Sequence, residues 1–282
     1  MEMGLKINLH ITEKCNYRCR YCFAHFQDSK DLPMDDWMRI IDNISNCSEI
    51  DAINFAGGEP LLFRGFPELL EYSASLGYRL SVISNGSLLL NSTLMPPHAF
   101  RLIETLGISV DTVDPGKLIE LGACTRSCNV LNLKSIMELI SAARKENPKL
   151  KIKFNTVVSR VNKDDDLNEL DVLKEADRWK VLRMKIFKNN TFNNENLSVT
   201  DDEFASFVKR HRGASRNLVV EDNMIRSYIM VDNRGWLLDN TQQDYRRLGC
   251  LLDEDFSSVF RRYDFDSTAY AKRYSQQGKL CA

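Results

Sequence analysis

The alternation of short apolar segments with longer helical segments is the feature that most constrains the fold. Five helical patterns occur, at Met34–Ser45, Phe66–Leu76, Ala99–Thr105, Leu131–Lys145 and Leu167–Ala176. Six segments have the length and residue types of strands: Leu5–His10, Asp51–Phe55, Arg79–Ile83, Leu106–Val110, Lys151–Val158 and Lys180–Phe187. Such alternation predicts a parallel sheet with helices outside it. Because six units fall short of the eight in a closed barrel, we expect an α/β fold: a partial (β/α)6 TIM-like barrel whose open side faces a substrate.

The sequence changes character after Phe187. Residues 188–196 are rich in asparagine, and Thr200–Glu203 has the pattern of a capping box that opens a helix through about His211. A short strand is expected at Tyr228–Val231. We therefore expect a catalytic core over residues 1–190 and a C-terminal extension over residues 191–282 that covers the substrate site.

Composition excludes several classes of protein. The chain has 282 residues, 43% hydrophobic and 27% charged, which is typical of an ordinary soluble protein. A net charge of −1 argues against binding to a nucleic acid polymer or an anionic membrane. No signal peptide or membrane-spanning run is recognisable. We expect a monomeric protein of the reducing cytoplasm, where thiolates can hold iron.

Three of the eight cysteines follow the first strand in the pattern C-x3-C-x2-C, at Cys15, Cys19 and Cys22. Each of the four irons in a [4Fe–4S] cluster takes a ligand, so three thiolates would leave one iron open to a small molecule. A zinc site completed by His25 is the alternative, although structural zinc prefers four ligands in paired short spacings. A second cluster is not expected, and buried structural thiols are predicted for the other cysteines: Cys47, Cys124, Cys128, Cys250 and Cys281.

Polar motifs follow the next three strands. Gly57-Gly58-Glu59-Pro60 follows strand two, Ser84-Asn85-Gly86-Ser87 follows strand three, and Ser109-Val110-Asp111 ends strand four. The carboxyl ends of parallel strands meet on one rim, so these motifs and the cysteines should line one site. The glycines allow a close approach of the backbone to a ligand, whose ammonium group the Glu59 carboxylate could bind. Each motif taken alone is also compatible with a plain tight turn.

Cations mark strands five and six. Lys153 and Asn155 share one face of strand five because side chains alternate, and a polar face on an otherwise covered strand implies a polar cavity. Arg178 and Lys180 likewise share a face of strand six. Several cations at one site indicate a strongly anionic substrate such as a polyphosphate. The alternative of solvated strand-end charges applies best to three residues, of which the last two lie on the other face: Lys151, Arg183 and Lys185.

These motifs resemble a known superfamily. The three cysteines together with Gly57–Pro60 resemble the radical S-adenosylmethionine superfamily, and longer stretches resemble the viperin family within it. Those stretches are Ile53–Pro60, Val82–Leu88, Ile108–Asp111, Lys153–Asn162, Arg178–Val181, Asp201–Phe204, Ser227-Tyr228 and Tyr270–Arg273. The resemblance covers nearly the whole chain and is densest over residues 5–182.

The resemblance implies two cofactors, a [4Fe–4S] cluster on Cys15, Cys19 and Cys22 and S-adenosylmethionine. The implied contacts of these cofactors are Tyr21, Phe23, Gly57, Gly58, Glu59, Ser84, Asn85, Ser109 and Arg126. The implied ligands of a nucleotide triphosphate are Lys153, Asn155, Arg178, Lys180, Lys272 and Arg273. Tyr228 corresponds to a tyrosine that supplies the final hydrogen.

The implied activity is that of a lyase. A 5′-deoxyadenosyl radical takes the 4′ hydrogen of CTP, UTP or GTP, and the 3′ hydroxyl leaves as water. The 3′-deoxy-3′,4′-didehydro product terminates viral polymerisation, which implies antiviral defence, and a flavodoxin or ferredoxin would supply electrons. The alternatives are a radical enzyme that modifies a peptide or another phosphorylated metabolite, and a non-enzymatic iron–sulfur protein that binds nucleotide.

Two departures from the family pattern stand out. Animal members carry an N-terminal amphipathic membrane helix, which this sequence does not show, so a soluble microbial relative is expected. The Gly-Arg-Gly of the family is Gly122-Ala123-Cys124 here. Arg126 is the residue that could replace the displaced arginine, whose family role is to bind the carboxylate of S-adenosylmethionine.

Overall fold

The structure is a computed structural model that describes residues 4–22, 30–168, 170–187, 193–213, 217–221, 224–241 and 245–275. Its strands are β1 (Leu5–His10), β2 (Ile50–Ala56), β3 (Arg79–Ser84), β4 (Ile103–Ser109), β5 (Lys151–Val158), β6 (Arg178–Arg183), β7 (Leu218–Glu221), β8 (Ile229–Val231), β9 (Trp236–Asp239) and β10 (Arg246–Cys250). Its helices are α1 (Met34–Ser45), α2 (Phe66–Ser75), α3 (Pro115–Glu120), α4 (Leu133–Glu146), α5 (Asp171–Lys174), α6 (Asp201–His211), α7 (Phe256–Phe260) and α8 (Ser267–Ser275).

All ten strands form one sheet in the order β10-β9-β8-β1-β2-β3-β4-β5-β6-β7. The strands from β8 through β7 pair in parallel, whereas β9 and β10 pair antiparallel. The predicted α/β class with an open parallel barrel is confirmed. The six predicted strands are β1–β6, and β8 and β7 from the later part of the chain continue the parallel pairing beside β1 and β6. The strand expected at Tyr228–Val231 is β8, whereas β7, with only four residues, was not predicted.

Element boundaries mostly agree with the sequence expectations. The helix predicted at Ala99–Thr105 is wrong: a 3-10 helix spans Pro97–Leu102, and β4 begins at Ile103. The helix predicted at Leu167–Ala176 is reduced to the single turn of α5. Strand β6 ends earlier than predicted, at Arg183. The capping box is confirmed, since the Thr200 hydroxyl accepts from the Glu203 amide and the Glu203 carboxylate accepts from the Thr200 amide.

The sheet separates an apolar core from a polar interior. In β1, Ile7 and Leu9 are fully buried in the core that also holds the inner face of α1, including Trp37. The alternate residue Asn8 faces the opposite side, where it accepts a hydrogen bond from Asn54 at 2.9 Å. The period of two along each strand therefore builds a core on one face and a polar cavity on the other. Within the described ranges, we find no helix with the length and apolar character needed to span a membrane.

Candidate active site

The polar face of the sheet lines a cavity of about 640 Å³. One end is formed by the cysteine loop (residues 12–22) together with the ends of β2, β3 and β4. The far end, here called the cation end, is defined by Lys6, Lys153, Arg178, Lys180 and Arg273, and the wall also includes Arg79 and Lys151 at the starts of β3 and β5. The cavity thus joins a thiol-rich end to a cation-rich end.

The cysteine loop is held on one side by the glycines that follow β2. The Gly58 amide donates to the Thr12 carbonyl at 2.6 Å, and the Glu59 amide donates to the Lys14 carbonyl at 2.8 Å. A Cβ on Gly58 would lie 2.3 Å from the Lys14 carbonyl oxygen, so only glycine permits this approach. The glycine pair therefore packs closely on the cysteine loop, and both glycines also line the cavity.

A second glycine holds the other side of the loop. The Arg18 amide donates to the Gly122 carbonyl at 3.0 Å, and the Arg20 amide donates to the Leu121 carbonyl at 2.9 Å. Gly122 has φ +71°, and a Cβ there would lie 2.2 Å from the Arg18 carbonyl oxygen. Tyr17 packs beside this contact in a small apolar cluster with Leu121. Backbone contacts on both sides thus fix the segment that carries the three thiols.

Glu59 is enclosed by hydrogen-bond donors at the end of β3. Its carboxylate accepts from the Ser84 hydroxyl at 2.9 Å and from the Asn85 amide at 2.9 Å, and also from the Leu61 amide at 3.3 Å. The side chain is fully buried and is not part of the cavity wall. Burial raises the pKa of Glu59 to about 7, and these donors oppose the shift. Through these hydrogen bonds Glu59 joins the ends of β2 and β3.

Asn85 and Tyr21 connect the cysteine loop to neighbouring strand ends. The Asn85 side-chain amide donates to Asn16 at 2.9 Å and lies 3.8 Å from the Cys15 sulfur. The Tyr21 hydroxyl donates to the Asp111 carboxylate, which also accepts from the Val157 amide at 2.7 Å. Burial raises the pKa of Asp111 to about 6. Side chains that line the same end of the cavity include Tyr21, Ser84, Asn85 and Ser109.

The three thiols of Cys15, Cys19 and Cys22 all line this end of the cavity. In the described part of the chain, no three His, Cys, Asp or Glu side chains are grouped to hold a single metal ion. A cluster is larger, because each thiolate binds its own iron. The donor set and its position on an interior cavity therefore fit a [4Fe–4S] cluster with one iron facing the cavity.

Of the predicted site residues that the structure describes, three do not contribute to the cavity wall. Arg126 is exposed on the loop after α3, and Lys272 is exposed on α8. Glu59 is buried behind the wall, and Phe23 lies outside the described residues, as do His25 and Cys281. The expectation of buried thiols holds for Cys250, which is 8% exposed, but is wrong for Cys128, which is exposed.

The cation end is only partly neutralised. Glu221 forms ion pairs with Lys180 and Arg273, while Lys153 has no ion-pair partner among the residues described. Burial and the nearby cations Lys6, Arg178 and Arg273 hold the pKa of Lys153 well below its usual value. Such repulsion costs free energy unless an anion offsets it. The cation end is thus chemically suited to a polyanion.

Tyr228 lies where the extension meets the cavity. Its ring lines the cavity, with the Arg273 guanidinium 4.8 Å from the ring centroid. Burial raises the pKa of Tyr228 above its usual value, so the phenol stays protonated at neutral pH. Its backbone carbonyl accepts from the Tyr263 hydroxyl at 3.4 Å.

Arg183 and Lys185, predicted on the other face, also contribute to the cavity wall, because the alternation stops where β6 ends.

Sequence reasoning missed several residues of the cavity wall. Lys6, Asn8 and His10 alternate along β1 and all face the cavity. The argument used for Lys153 and Asn155 could have found these three, since they show the same polar period of two. Glu221 carried no comparable signal, because it ends a strand of only four residues.

Comparison with known proteins first identifies the superfamily to which the chain belongs. The Radical SAM superfamily model matches residues 9–173. A Streptococcus suis SuiB structure bound to S-adenosylmethionine superposes with a TM-score of 0.67 at 16% identity, covering 95% of this chain and 67% of SuiB, which supports the fold alone. The open parallel barrel, the cysteine motif and the family model therefore all indicate a radical S-adenosylmethionine protein.

Two curated relatives give the family. An "S-adenosylmethionine-dependent nucleotide dehydratase" of Selenomonas ruminantium is 50% identical over 97% of this chain and 100% of that protein. A protein of the same name from Psychrobacter lutiphocae is 30% identical over 96% of this chain and 95% of its own length. The chain therefore belongs to the Radical SAM superfamily and, within it, to the family of these dehydratases. The resemblance drawn from the motifs is confirmed, and the cofactors are a [4Fe–4S] cluster and S-adenosylmethionine.

Proposed function

We propose that this protein is a radical S-adenosylmethionine nucleotide dehydratase that removes water from a ribonucleoside triphosphate. The observation that carries the proposal is the cavity itself, which joins a three-thiol end to a cation-rich end. The names of the two relatives support the reaction class. An iron–sulfur electron carrier needs neither an interior cavity nor a polyanion site, so the enzyme reading is favoured.

In this proposal Cys15, Cys19 and Cys22 hold the cluster. When bound, the reduced cluster and S-adenosylmethionine supply a 5′-deoxyadenosyl radical. The cavity residues near the thiols are the candidate contacts of S-adenosylmethionine: Tyr21, Gly57, Gly58, Ser84, Asn85 and Ser109. Glu59 positions Asn85 through their hydrogen bond. Arg126, exposed outside the cavity wall, has no part in the proposed site.

The triphosphate is assigned to the cation end, with Lys153, Asn155, Arg178, Lys180 and Arg273 as its ligands. The strand register supports this placement. Asn155 pairs with Ser109 on β4 and with Lys180 on β6. Lys153, two residues earlier on β5, pairs with Arg178 and therefore lies further from the cysteine loop. Two residues along a strand span roughly 7 Å. A nucleotide held by its phosphates at the cation end would place its sugar toward the thiol end.

Tyr228 is the proposed hydrogen donor. Loss of the 4′ hydrogen to the radical leaves a sugar radical, and departure of the 3′ oxygen as water then requires one electron and one proton. A protonated phenol can give both as a hydrogen atom. The position of Tyr228 in the cavity wall beside Arg273 supports this role, and the segment from residue 191 that carries both residues is the proposed substrate cover.

The product would be a 3′-deoxy-3′,4′-didehydro nucleotide. Without a 3′ hydroxyl, a polymerase that incorporates it has no group to extend, so the product would terminate chains. A role in antiviral defence follows from that chemistry. The electron that reduces the cluster would come from a flavodoxin or ferredoxin, and we propose a cytoplasmic monomer.

The test is anaerobic reconstitution followed by incubation with S-adenosylmethionine, a reductant and each of CTP, UTP, GTP and ATP. We expect 5′-deoxyadenosine together with one nucleotide product that has lost one water. Cys15→Ala should abolish the brown chromophore and turnover, whereas Cys47→Ala, which changes a cysteine outside the loop, should retain both. Formation of 5′-deoxyadenosine with no change in the mass of any nucleotide would contradict the proposal.

A further inference from the structure

Lys6 is the cation that the motifs did not indicate. It lies near the start of β1, at the opposite end of that strand from the cysteine loop. Its side chain lines the cavity, and its ammonium donates to the Ser81 hydroxyl at 3.1 Å. Lys6 to His10 spans roughly 13 Å of extended strand, so Lys6 marks the deep end of the cavity.

The carboxylates near Lys6 are already paired with other cations. Glu104 bonds Lys151 at 2.8 Å and Arg79 at 3.3 Å, and Asp51 bonds Arg79 at 2.8 Å. Lys6 itself forms no ion pair within the described ranges, where Glu221 is paired with Lys180 and Arg273. An unpaired ammonium on a cavity wall is a strong donor for an anionic ligand.

Lys6 reaches the cavity from β1, whereas Arg79 of β3, which also lines the wall, is already ion-paired with Asp51 and Glu104. Lys153, Arg178 and Lys180 come from the adjacent strands β5 and β6, whereas Lys6 comes from β1. The residue beside Lys6 on β2 is Ala52, whose side chain is too short to reach an anion. Lys6 and Arg178 both repel the Lys153 ammonium, which indicates that the cations of β1, β5 and β6 lie near the same part of the cavity.

We propose that Lys6 binds the terminal phosphate of the nucleotide and so makes the site select triphosphates over diphosphates and monophosphates. The inference rests on the proposed function and adds a specificity residue to it. A nucleotide anchored by its sugar near the thiol end reaches Lys6 only with its last phosphate. A diphosphate would leave Lys6 without a partner and would lose one charge-assisted contact.

The test measures equilibrium binding to the anaerobically reconstituted enzyme in the presence of S-adenosylmethionine. The best-bound nucleoside is first identified among CTP, UTP, GTP and ATP, and its tri-, di- and monophosphates are then compared. In Lys6→Met we expect triphosphate affinity to fall about tenfold to a hundredfold. Di- and monophosphate affinities should stay as in the wild type, and Lys6→Arg should retain the preference for triphosphate.

Two controls make the result specific. Lys149→Met removes an exposed lysine outside the cavity and should change no affinity, while iron content and circular dichroism should be unchanged in Lys6→Met. A wild-type ratio of triphosphate to diphosphate affinity in Lys6→Met would overturn the inference, as would equal losses for all three phosphates. Failure of the wild type to bind any triphosphate would overturn both this inference and the proposed function.

Discussion

Replacement of Gly122 by alanine should disturb the cysteine loop far more than it disturbs the fold. Gly122 follows the end of α3 with φ +71°, and a Cβ there would lie 2.2 Å from the Arg18 carbonyl oxygen. That is roughly 1 Å closer than van der Waals contact permits. Because Arg18 lies between Cys15 and Cys19, the backbone shift that relieves this clash must move the thiols.

Gly77 provides a matched control. It occupies the same position after α2, with φ +85°, but a Cβ there would meet no atom within 4 Å. Gly77→Ala therefore adds only the left-handed strain of about 1–2 kcal/mol. Gly122→Ala adds the same strain and an overpacking cost of about 1–3 kcal/mol, so it should lower the free energy of unfolding by about 2–5 kcal/mol.

The two variants should differ most in iron binding. We expect thermal unfolding of the apoprotein to shift by roughly 2–4 °C for each kcal/mol lost, with the larger shift in Gly122→Ala. Iron and sulfide content after anaerobic reconstitution should fall in Gly122→Ala and remain at the wild-type level in Gly77→Ala. If both variants bind equal amounts of iron and unfold at the same temperature, the glycine contact does not position the thiols.

Three further outcomes are expected. Lys153→Ala should weaken nucleotide binding by about tenfold to a hundredfold while leaving S-adenosylmethionine cleavage without nucleotide measurable; unchanged affinity would remove Lys153 from the proposed site. Tyr228→Phe should still form 5′-deoxyadenosine but little dehydrated nucleotide, and product at the wild-type rate would require another hydrogen donor. Burial lowers the pKa of His211, whose Nε2 accepts from the Leu167 amide at 3.0 Å and whose Nδ1 donates to the Phe207 carbonyl. The unfolded chain therefore takes up a proton at this residue below about pH 6.5 that the folded chain does not, so His211 should lower stability by up to about 1.4 kcal/mol per pH unit as the pH drops. Buried His10 contributes in the same direction, so His211→Gln should reduce the pH dependence by the share of His211, and His98→Gln, on the surface, should leave it unchanged.

The cavity shows why some site residues were predictable and others were not. Lys153, Asn155, Arg178 and Lys180 were found because polar residues with a period of two are anomalous in a covered strand. The same pattern at Lys6 was overlooked beside the stronger cysteine motif. Other features of the site depend on contacts between segments that are distant in the chain, and a local sequence pattern does not indicate which segments come into contact.

Glu59 and Gly122 illustrate that limit. Nothing near Glu59 in the sequence indicates that its carboxylate accepts from residues 84 and 85, which come together with it only when β2 pairs with β3. Likewise, Gly122 contacts a residue about a hundred positions away. Glu59 acts through its carboxylate and Gly122 through its backbone, and both contacts join segments that are distant in sequence, so these roles could be assigned only from the folded chain.

The sequence by itself determined the cysteine triplet, the alternating β/α order and the cationic faces of β5 and β6, because strand and helix periods and ligand spacing are local properties. Only the tertiary structure decided that the C-terminal segment adds β7 at one end of the sheet and β8 beside β1. It also decided that Lys6, Glu221 and Arg273 join Lys153 in one cavity. Strands so short and pairings so distant are selected by burial and hydrogen bonding across the whole sheet, which no local pattern encodes.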